Sequence, residues 1–118
     1  MTNEIPLLEK IQSALEDLKA LEILTIDVKN RNSIIDYMII ASGTSSRHVQ
    51  SVAENLVEKL KEQGIRPRGM HGDTDGEWWL VDIGDVIVHV MHPKTRALYN
   101  LEELWDSTYA RHQESISF

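Results

Sequence analysis

The segment Gly76-Glu-Trp-Trp-Leu-Val-Asp-Ile-Gly-Asp-Val-Ile-Val-His-Val-Met91 predicts two β-strands joined by a tight turn at Gly84-Asp85. A Gly-X pair between runs of β-branched and aromatic residues is typical of a two-residue hairpin loop. With this turn, Ile83 pairs with Val86, and the alternation of side chains sets the rest of the register. One face of the hairpin is then entirely apolar, which predicts that it lies on a core. Its side chains are Trp79, Val81, Ile83, Val86, Val88 and Val90.

The opposite face of the same hairpin has a mixed character. Tryptophan and methionine are enriched in the centres of protein interfaces, so this mixture favours a docking surface over a solvated one. The alternative is that a helix covers this face as well and that its polar groups find partners inside the protein. The pattern alone leaves both interpretations open. The side chains of this face are Trp78, Leu80, Asp82, Ile87, His89 and Met91.

The composition indicates one soluble domain with an acidic surface. The chain has 118 residues, and 12 Lys and Arg against 19 Asp and Glu give a net charge of -7. This charge disfavours wrapping of a nucleic-acid backbone but would assist encounter with a basic protein. The chain contains no cysteine, so a disulfide framework and a thiolate zinc site are excluded. We find no signal peptide and no membrane-spanning run, and we expect a cytoplasmic protein with no membrane partner.

Hydrophobic periodicity predicts the other elements. We expect a helix over residues 4–20, a strand over 22–28 and a buried strand over Tyr37–Ala41. The longest helix is predicted over 46–63, with Thr44 or Ser45 as its N-cap and Gly64 as its stop.

The second half of the chain is less regular. We expect an edge strand over 65–69, a loop over 69–76 and, after the hairpin, a last helical segment over 96–105 with a break near Asn100. Residues 107–118 lose all periodicity and are predicted to form a frayed tail. The whole is therefore expected to be a single α/β domain on a mixed sheet flanked by helices.

Two features raise the question of catalysis. The Ser42–Ser46 loop precedes a helix, and with Asp82 and Asp85 it faintly resembles the loop and paired carboxylates of nucleotidyltransferases. The two acids are three residues apart across a turn, so their carboxylates need not converge on a magnesium ion. The alternative is a helix cap with Asp85 serving the turn, and this alternative is favoured.

A metal site is also disfavoured. His89 and His92 fall on opposite faces of a strand, while His71 and His112 lie in a loop and in the tail, so we expect no metal. The exposed cations could touch RNA phosphates at the edge of a larger assembly, although ordinary solvated charges are the favoured interpretation. They are Arg47, His48, Arg66, Arg68 and Lys94.

Two long motifs resemble one known family. The segment Asp36-Tyr-Met-Ile-Ile-Ala-Ser-Gly-Thr-Ser-Ser-Arg-His-Val49 opens an amphipathic helix and is followed by residues 76–91. Both closely resemble the ribosomal silencing factor family, RsfS, which is also called Iojap-like. The segment Arg96-Ala-Leu-Tyr-Asn-Leu-Glu-Glu-Leu-Trp105 is similar to the same family. The resemblance covers about residues 5–106.

This resemblance implies a nucleotidyltransferase-like fold over residues 1–106. It implies binding to the fourteenth protein of the large ribosomal subunit, which sterically blocks joining of the small subunit and represses translation under nutrient limitation. Relatives are also assigned a role in large-subunit assembly, and several form homodimers. No enzymatic activity is established for the family, so we expect neither catalysis nor a cofactor. The alternatives are an assembly factor with the same docking surface and, further off, a nucleotidyltransferase-like enzyme.

The resemblance also suggests site residues. The tryptophan of the family's hairpin strand maps to Trp78, and its Asp-x-Gly-Asp turn maps to Asp82 and Asp85. Trp79 stands where relatives usually have an aliphatic residue, and a register slip of one residue would exchange the roles of the two tryptophans. We expect the apolar centre of the contact to consist of Trp78, Leu80 and Met91. The acids that face basic side chains of the partner are expected to be Glu77, Asp82 and Asp85, with His89 beside them.

Overall fold

The computed structural model describes residues 4–30 and 34–105. The predicted tail, residues 107–118, lies outside the described residues. The elements in chain order are α1 (Glu4–Asp17), β1 (Leu21–Asp27), β2 (Tyr37–Ser42), α2 (Ser46–Glu62), β3 (Gly69–Gly72), β4 (Trp78–Asp82), β5 (Val86–Met91), α3 (Pro93–Tyr99) and α4 (Leu101–Trp105).

The five strands form one mixed sheet in the order β1-β2-β5-β4-β3. Strand β2 runs parallel to β5, and every other neighbouring pair is antiparallel. The parallel pair needs a long crossover, which α2, β3 and β4 provide. The expectation of a single α/β domain with a mixed sheet and flanking helices is confirmed.

The β4–β5 hairpin has the predicted register. Trp79 pairs with Val90, Val81 pairs with Val88, and Trp78 pairs with Met91. At the turn, the Ile83 amide donates to the Val86 carbonyl over 2.9 Å. Gly84 has φ +95°, a positive angle that the first central residue of a type I′ or II′ hairpin turn requires and that glycine adopts without strain. The possible slip that would have exchanged the two tryptophans is therefore excluded.

The two faces of the sheet carry separate apolar clusters. The larger cluster joins the predicted apolar face of the hairpin to α1 and α2, whose buried side chains include Ile11, Leu15, Val52 and Leu56. The smaller cluster lies on the other face, with Leu101 of α4 and Trp78 packed against it. Its buried members are Ile26, Val28, Met38, Ile40 and Met91.

Helix α2 begins at the predicted residue and ends at Glu62, one residue before the predicted end. The Ser45 side chain is the N-cap and accepts from the His48 amide over 3.1 Å. Gly64 follows the helix with φ +80°, where the chain turns left-handed. The final helical segment is broken at Asn100, which has φ +53°, and this too was predicted.

Three predicted boundaries are wrong. Helix α1 ends at Asp17 and not at residue 20, and α3 begins at Pro93 and not at residue 96. The edge strand lies at Gly69–Gly72, in the predicted loop, and not at residues 65–69. Its pairing partner explains this, because β3 bonds to β4 from Gly69 opposite Asp82 to Gly72 opposite Trp79. No local pattern carries that information.

Within the described part of the chain, no helix has the length and apolarity needed to cross a membrane.

Candidate docking site

Trp78 occupies a defined position on the second face of the sheet. Its indole Nε1 donates to Nδ1 of His89 over 2.9 Å, across the β4–β5 pair. The two ring centroids are 5.8 Å apart. The indole also contacts Tyr99 of α3, with centroids 4.8 Å apart and planes inclined by 51°. Trp78 is half-buried, so part of this oriented ring remains accessible to a partner.

His89 accepts the hydrogen bond that orients the Trp78 indole. It is only 6% exposed, and burial lowers its pKa from 6.5 to about 4 because the interior disfavours the charged ring. The imidazole is therefore neutral near pH 7, and a neutral ring that accepts at Nδ1 carries its proton on Nε2. The prediction that His89 itself contacts a partner is corrected: it is a buried acceptor that orients Trp78.

Met91 is also placed differently from the prediction. It was expected beside Trp78 in the exposed centre of the contact, but it is fully buried in the smaller apolar cluster with Met38 and Ile40. The reason is that Trp78 and Leu101 pack over this end of the second face. The interpretation that this face is covered within the protein therefore holds at His89 and Met91, and docking at the rest of the face stays a prediction.

Leu80 and Asp82 follow Trp78 at alternate positions of β4 and remain half-buried. One carboxylate oxygen of Asp82 accepts from the Gly84 amide over 2.9 Å, so this acid also stabilises the turn. Asp85 is exposed. Its backbone carbonyl accepts from the amides of Asp36 and Tyr37, which fixes the turn to the start of β2 while leaving the carboxylate at the surface.

Glu77 is predicted to meet a basic partner, but it has internal bonds. Its Oε1 accepts from the Thr95 hydroxyl over 2.9 Å. Its carbonyl accepts from the His92 amide over 2.7 Å. Glu77 therefore connects the start of α3 to the start of β4 through hydrogen bonds. This structural role does not depend on any partner.

The sequence reasoning missed two apolar residues of α3. Leu98 is 77% exposed, and Tyr99, which contacts Trp78, is 55% exposed. A helix of seven residues is too short to show a reliable periodicity, and the contact with Trp78 joins residues 21 positions apart. No sequence signal could have placed Tyr99 on this surface.

The loop before α2 is occupied by bonds within the chain. The Gly43 amide donates to the Met91 carbonyl over 3.2 Å. The Thr44 amide donates to Nδ1 of His48 over 2.8 Å. A Cβ at Gly43 would lie 2.8 Å from the Val49 nitrogen, so the loop packs directly on the helix. This geometry favours the cap interpretation over an anion site.

The acids of the second face show no sign of a metal site. Among residues 4–30 and 34–105, no three His, Cys, Asp or Glu side chains are grouped so that they could hold an ion. Asp82 instead bonds to the turn amide of Gly84.

The predicted cationic positions do not form one patch with a defined role. His48 is engaged at both ring nitrogens, because its Nε2 also donates to the Leu18 carbonyl over 2.7 Å. The Arg68 guanidinium lies beside the hairpin turn, where a Cβ at Gly84 would be 3.6 Å from its Nε. Arg47, Arg66 and Lys94 are exposed. A peripheral contact with ribosomal RNA stays a prediction.

Comparison with known proteins identifies the family. The family described as "Ribosomal silencing factor during starvation" (RsfS) matches residues 2–117. The ribosomal silencing factor RsfS of Haemophilus influenzae is 41% identical over 99 residues, which cover 84% of this chain and 97% of that protein. A crystal structure from Chromobacterium violaceum is 43% identical with a TM-score of 0.79, and the match covers 82% of this chain and 81% of that one.

A more distant relative has a name that refers to assembly. The mouse protein "Mitochondrial assembly of ribosomal large subunit protein 1" is 34% identical, over 83% of this chain and 44% of that protein. The family match extends over nearly the entire chain, and the fold agrees with a solved structure that is 43% identical. This chain belongs to the RsfS family of ribosomal silencing factors.

Proposed function

We propose that this protein binds the large ribosomal subunit through its fourteenth protein and sterically prevents joining of the small subunit. Translation is thereby repressed when nutrients are scarce. The bacterial relatives named as ribosomal silencing factors support the general role. The mechanism and the partner are our own inference.

The observation that carries the proposal is the oriented, half-exposed Trp78 between His89 and Tyr99. A large aromatic ring whose orientation is already set loses little conformational freedom on binding, and such rings are common energetic anchors of interfaces. Leu80 lies beside it on β4 and extends the apolar centre. We define the docking surface as Trp78, Leu80, Asp82, Asp85 and Tyr99.

Charge favours a basic partner for this surface. Asp82 and Asp85 lie at one end of β4, and the whole chain carries a net charge of -7. A positively charged partner would be steered towards such a surface, while direct wrapping of RNA would be opposed.

The proposed mechanism needs no chemical step. A folded domain of 13.5 kDa held at the subunit interface excludes the other subunit by volume alone. We therefore propose that the protein is not an enzyme. The bonds that close the loop before α2 support this view, because the amides of Gly43 and Thr44 already have partners within the chain.

The test is sedimentation of purified large and small subunits at a magnesium concentration that normally allows joining. We expect the protein to migrate with the large subunit and joined ribosomes to decrease as it is added. Normal joining in the presence of saturating protein would refute the silencing mechanism. Absence of the protein from the large-subunit fraction would refute ribosome binding itself.

A role in large-subunit assembly is the second candidate, and the name of the mouse relative favours it. Both roles would use the same docking surface. The ribosomal particles of cells that lack the protein distinguish the two roles. An assembly role predicts that incomplete large subunits accumulate during growth in rich medium. Silencing alone predicts normal subunits and a failure to reduce translation on starvation.

The docking surface could also serve self-association, as the family's homodimers suggest. Light scattering of the protein with and without large subunits measures this directly. If the same surface serves both, Trp78→Ala should weaken dimers and ribosome binding together.

A further inference from the structure

We propose that Arg96 is a positioning residue for the docking surface, because its buried guanidinium and the half-buried Glu102 form a latch that holds Tyr99 against Trp78. This inference rests on the proposed docking function and assigns it a residue outside the surface. The latch is defined as Arg96 and Glu102.

The element that carries Tyr99 cannot hold its own position. Helices α3 and α4 have seven and five residues, and helices this short are not stable in isolation. The chain turns between them at Asn100, whose φ of +53° is the left-handed conformation that ends a helix and that Asn adopts more readily than most residues. Contacts with the sheet must therefore set the path of this corner.

Arg96 makes two polar contacts with the sheet and one with α4. It is 8% exposed. Its Nε donates to Glu102 Oε2 over 3.0 Å, and its Nη1 donates to the Ser42 hydroxyl over 3.0 Å and to the Glu22 carbonyl over 2.8 Å. One side chain thus joins α3 and α4 to β1 and β2.

The backbone of β1 is irregular at the residue whose carbonyl accepts from Arg96. The pairing of β1 with β2 is irregular between Leu21 and Leu24. Within that bulge, Glu22 has φ +48°, a conformation that non-glycine residues rarely adopt. Such local strain persists only where surrounding contacts hold it, and the bond from Arg96 to the Glu22 carbonyl is such a contact.

The two residues of the latch lie on either side of Tyr99 in the chain. Tyr99 lies three residues after Arg96 and three before Glu102, so the ion pair closes the turn from which the Tyr99 ring projects onto Trp78. Loss of either partner leaves the other charge poorly compensated in a largely buried setting, which disfavours this arrangement of the corner. A second tie, from Thr95 to Glu77, fixes only the beginning of α3.

The test compares Glu102→Gln and Arg96→Lys with wild type at a temperature where all are folded. Glutamine keeps the shape of Glu102 without its charge, and lysine keeps the charge of Arg96 without its planar fork. We expect each variant to bind purified large subunits about tenfold more weakly, as for loss of a well-placed interface side chain.

The second readout is structural. The NMR contact between the Tyr99 ring and the Trp78 indole should weaken in both variants, while the amide signals of β2 and α2 that lie away from the latch keep their wild-type positions. Two controls accompany it. Glu58→Gln removes an exposed acid from α2, and Val52→Ala destabilises the larger core without touching the corner. Both should bind as wild type does.

The outcomes separate the two proposals. If the wild-type protein binds large subunits and both latch variants bind them with the same affinity, only the positioning role is overturned. Equal losses in Val52→Ala and in the latch variants would also overturn it, because general stability would then explain the effect. A wild-type protein that does not bind large subunits would overturn the docking function itself.

Discussion

The indole nitrogen of Trp78 donates to a histidine, His89, that remains uncharged at neutral pH. The bond orients the largest accessible ring of the second sheet face from a position that a partner cannot reach. His89 is 6% exposed, so within this pair only the tryptophan is placed to contact a partner, and the histidine determines the orientation of its ring.

Trp78→Ala should weaken binding to large subunits by on the order of 2 kcal/mol or more, because it removes the central aromatic of the docking surface. Equilibrium binding to purified large subunits measures this loss. Trp78→Phe keeps a ring against Tyr99 but cannot donate to His89. Its affinity for large subunits should therefore lie between those of wild type and Trp78→Ala.

Trp79→Phe is the matched control for this prediction. Trp79 packs against the larger core cluster on the opposite face of the sheet, so its substitution should alter stability and leave binding unchanged. Wild-type affinity in a correctly folded Trp78→Ala protein would show that the contact lies elsewhere.

Asp82→Asn should mainly slow association with the large subunit and reduce the salt dependence of the rate. Asparagine retains a carbonyl oxygen for the Gly84 amide, so the turn persists while one negative charge is lost. Stopped-flow association at several salt concentrations measures the effect. Asp17→Asn, at the exposed end of α1, should leave the rate as it is; an equal slowing would indicate net charge alone.

His89 predicts a pH dependence of stability. Its folded pKa of about 4 lies below the unfolded value of 6.5, so between these values the unfolded state binds more protons. The contribution is complete above pH 6.5 and is lost as pH falls through about 4, and it amounts to on the order of 3 kcal/mol.

Urea unfolding of wild type and His89→Gln between pH 7 and pH 4 measures this contribution. Glutamine does not titrate and retains an acceptor for Trp78, so its unfolding free energy should fall less with decreasing pH. His71→Gln, at an exposed position of β3, should follow wild type. Parallel pH profiles for wild type and His89→Gln would contradict a buried neutral imidazole.

Gly72→Ala should destabilise the protein by about 1–3 kcal/mol through overpacking. A Cβ at this position would lie 2.5 Å from Cε2 of the Trp79 indole, which packs across the strand pair. Thermal and urea unfolding measure the loss.

Gly69→Ala, in the same strand, is the control. Its Cβ would meet only the end of the His71 side chain, at 3.1 Å, and this exposed side chain can move aside. Its effect should stay within about 0.5 kcal/mol. Comparable losses at the two glycines would mean that strand flexibility, and not the Trp79 contact, explains the result.

Local chemistry made much of the molecule predictable. The Gly84-Asp85 turn and the period-two alternation around it predict the β4–β5 register, which the structure confirms residue by residue. The cap at Ser45 and the break at Asn100 also depend on neighbours within a few residues. The family motifs lie in these same segments, so the family too was recognisable from the chain alone.

The candidate site was only partly predictable. Its tryptophan, Trp78, follows from alternation along β4, and so does the face that it shares with Leu80 and Asp82. The depth of each residue does not follow, because alternation assigns a face and says nothing of what covers it. His89 and Met91 share the face of Trp78 but are buried.

What remained depended on contacts between distant parts of the chain. Strand β3 exists because β4 offers it a ladder, although its own sequence is that of a loop. Arg96 is buried because Ser42 and Glu22, more than fifty residues away, accept its bonds. Strand period and turn chemistry act over a few residues and can be read in one dimension, whereas coverage of a face is a property of the folded packing.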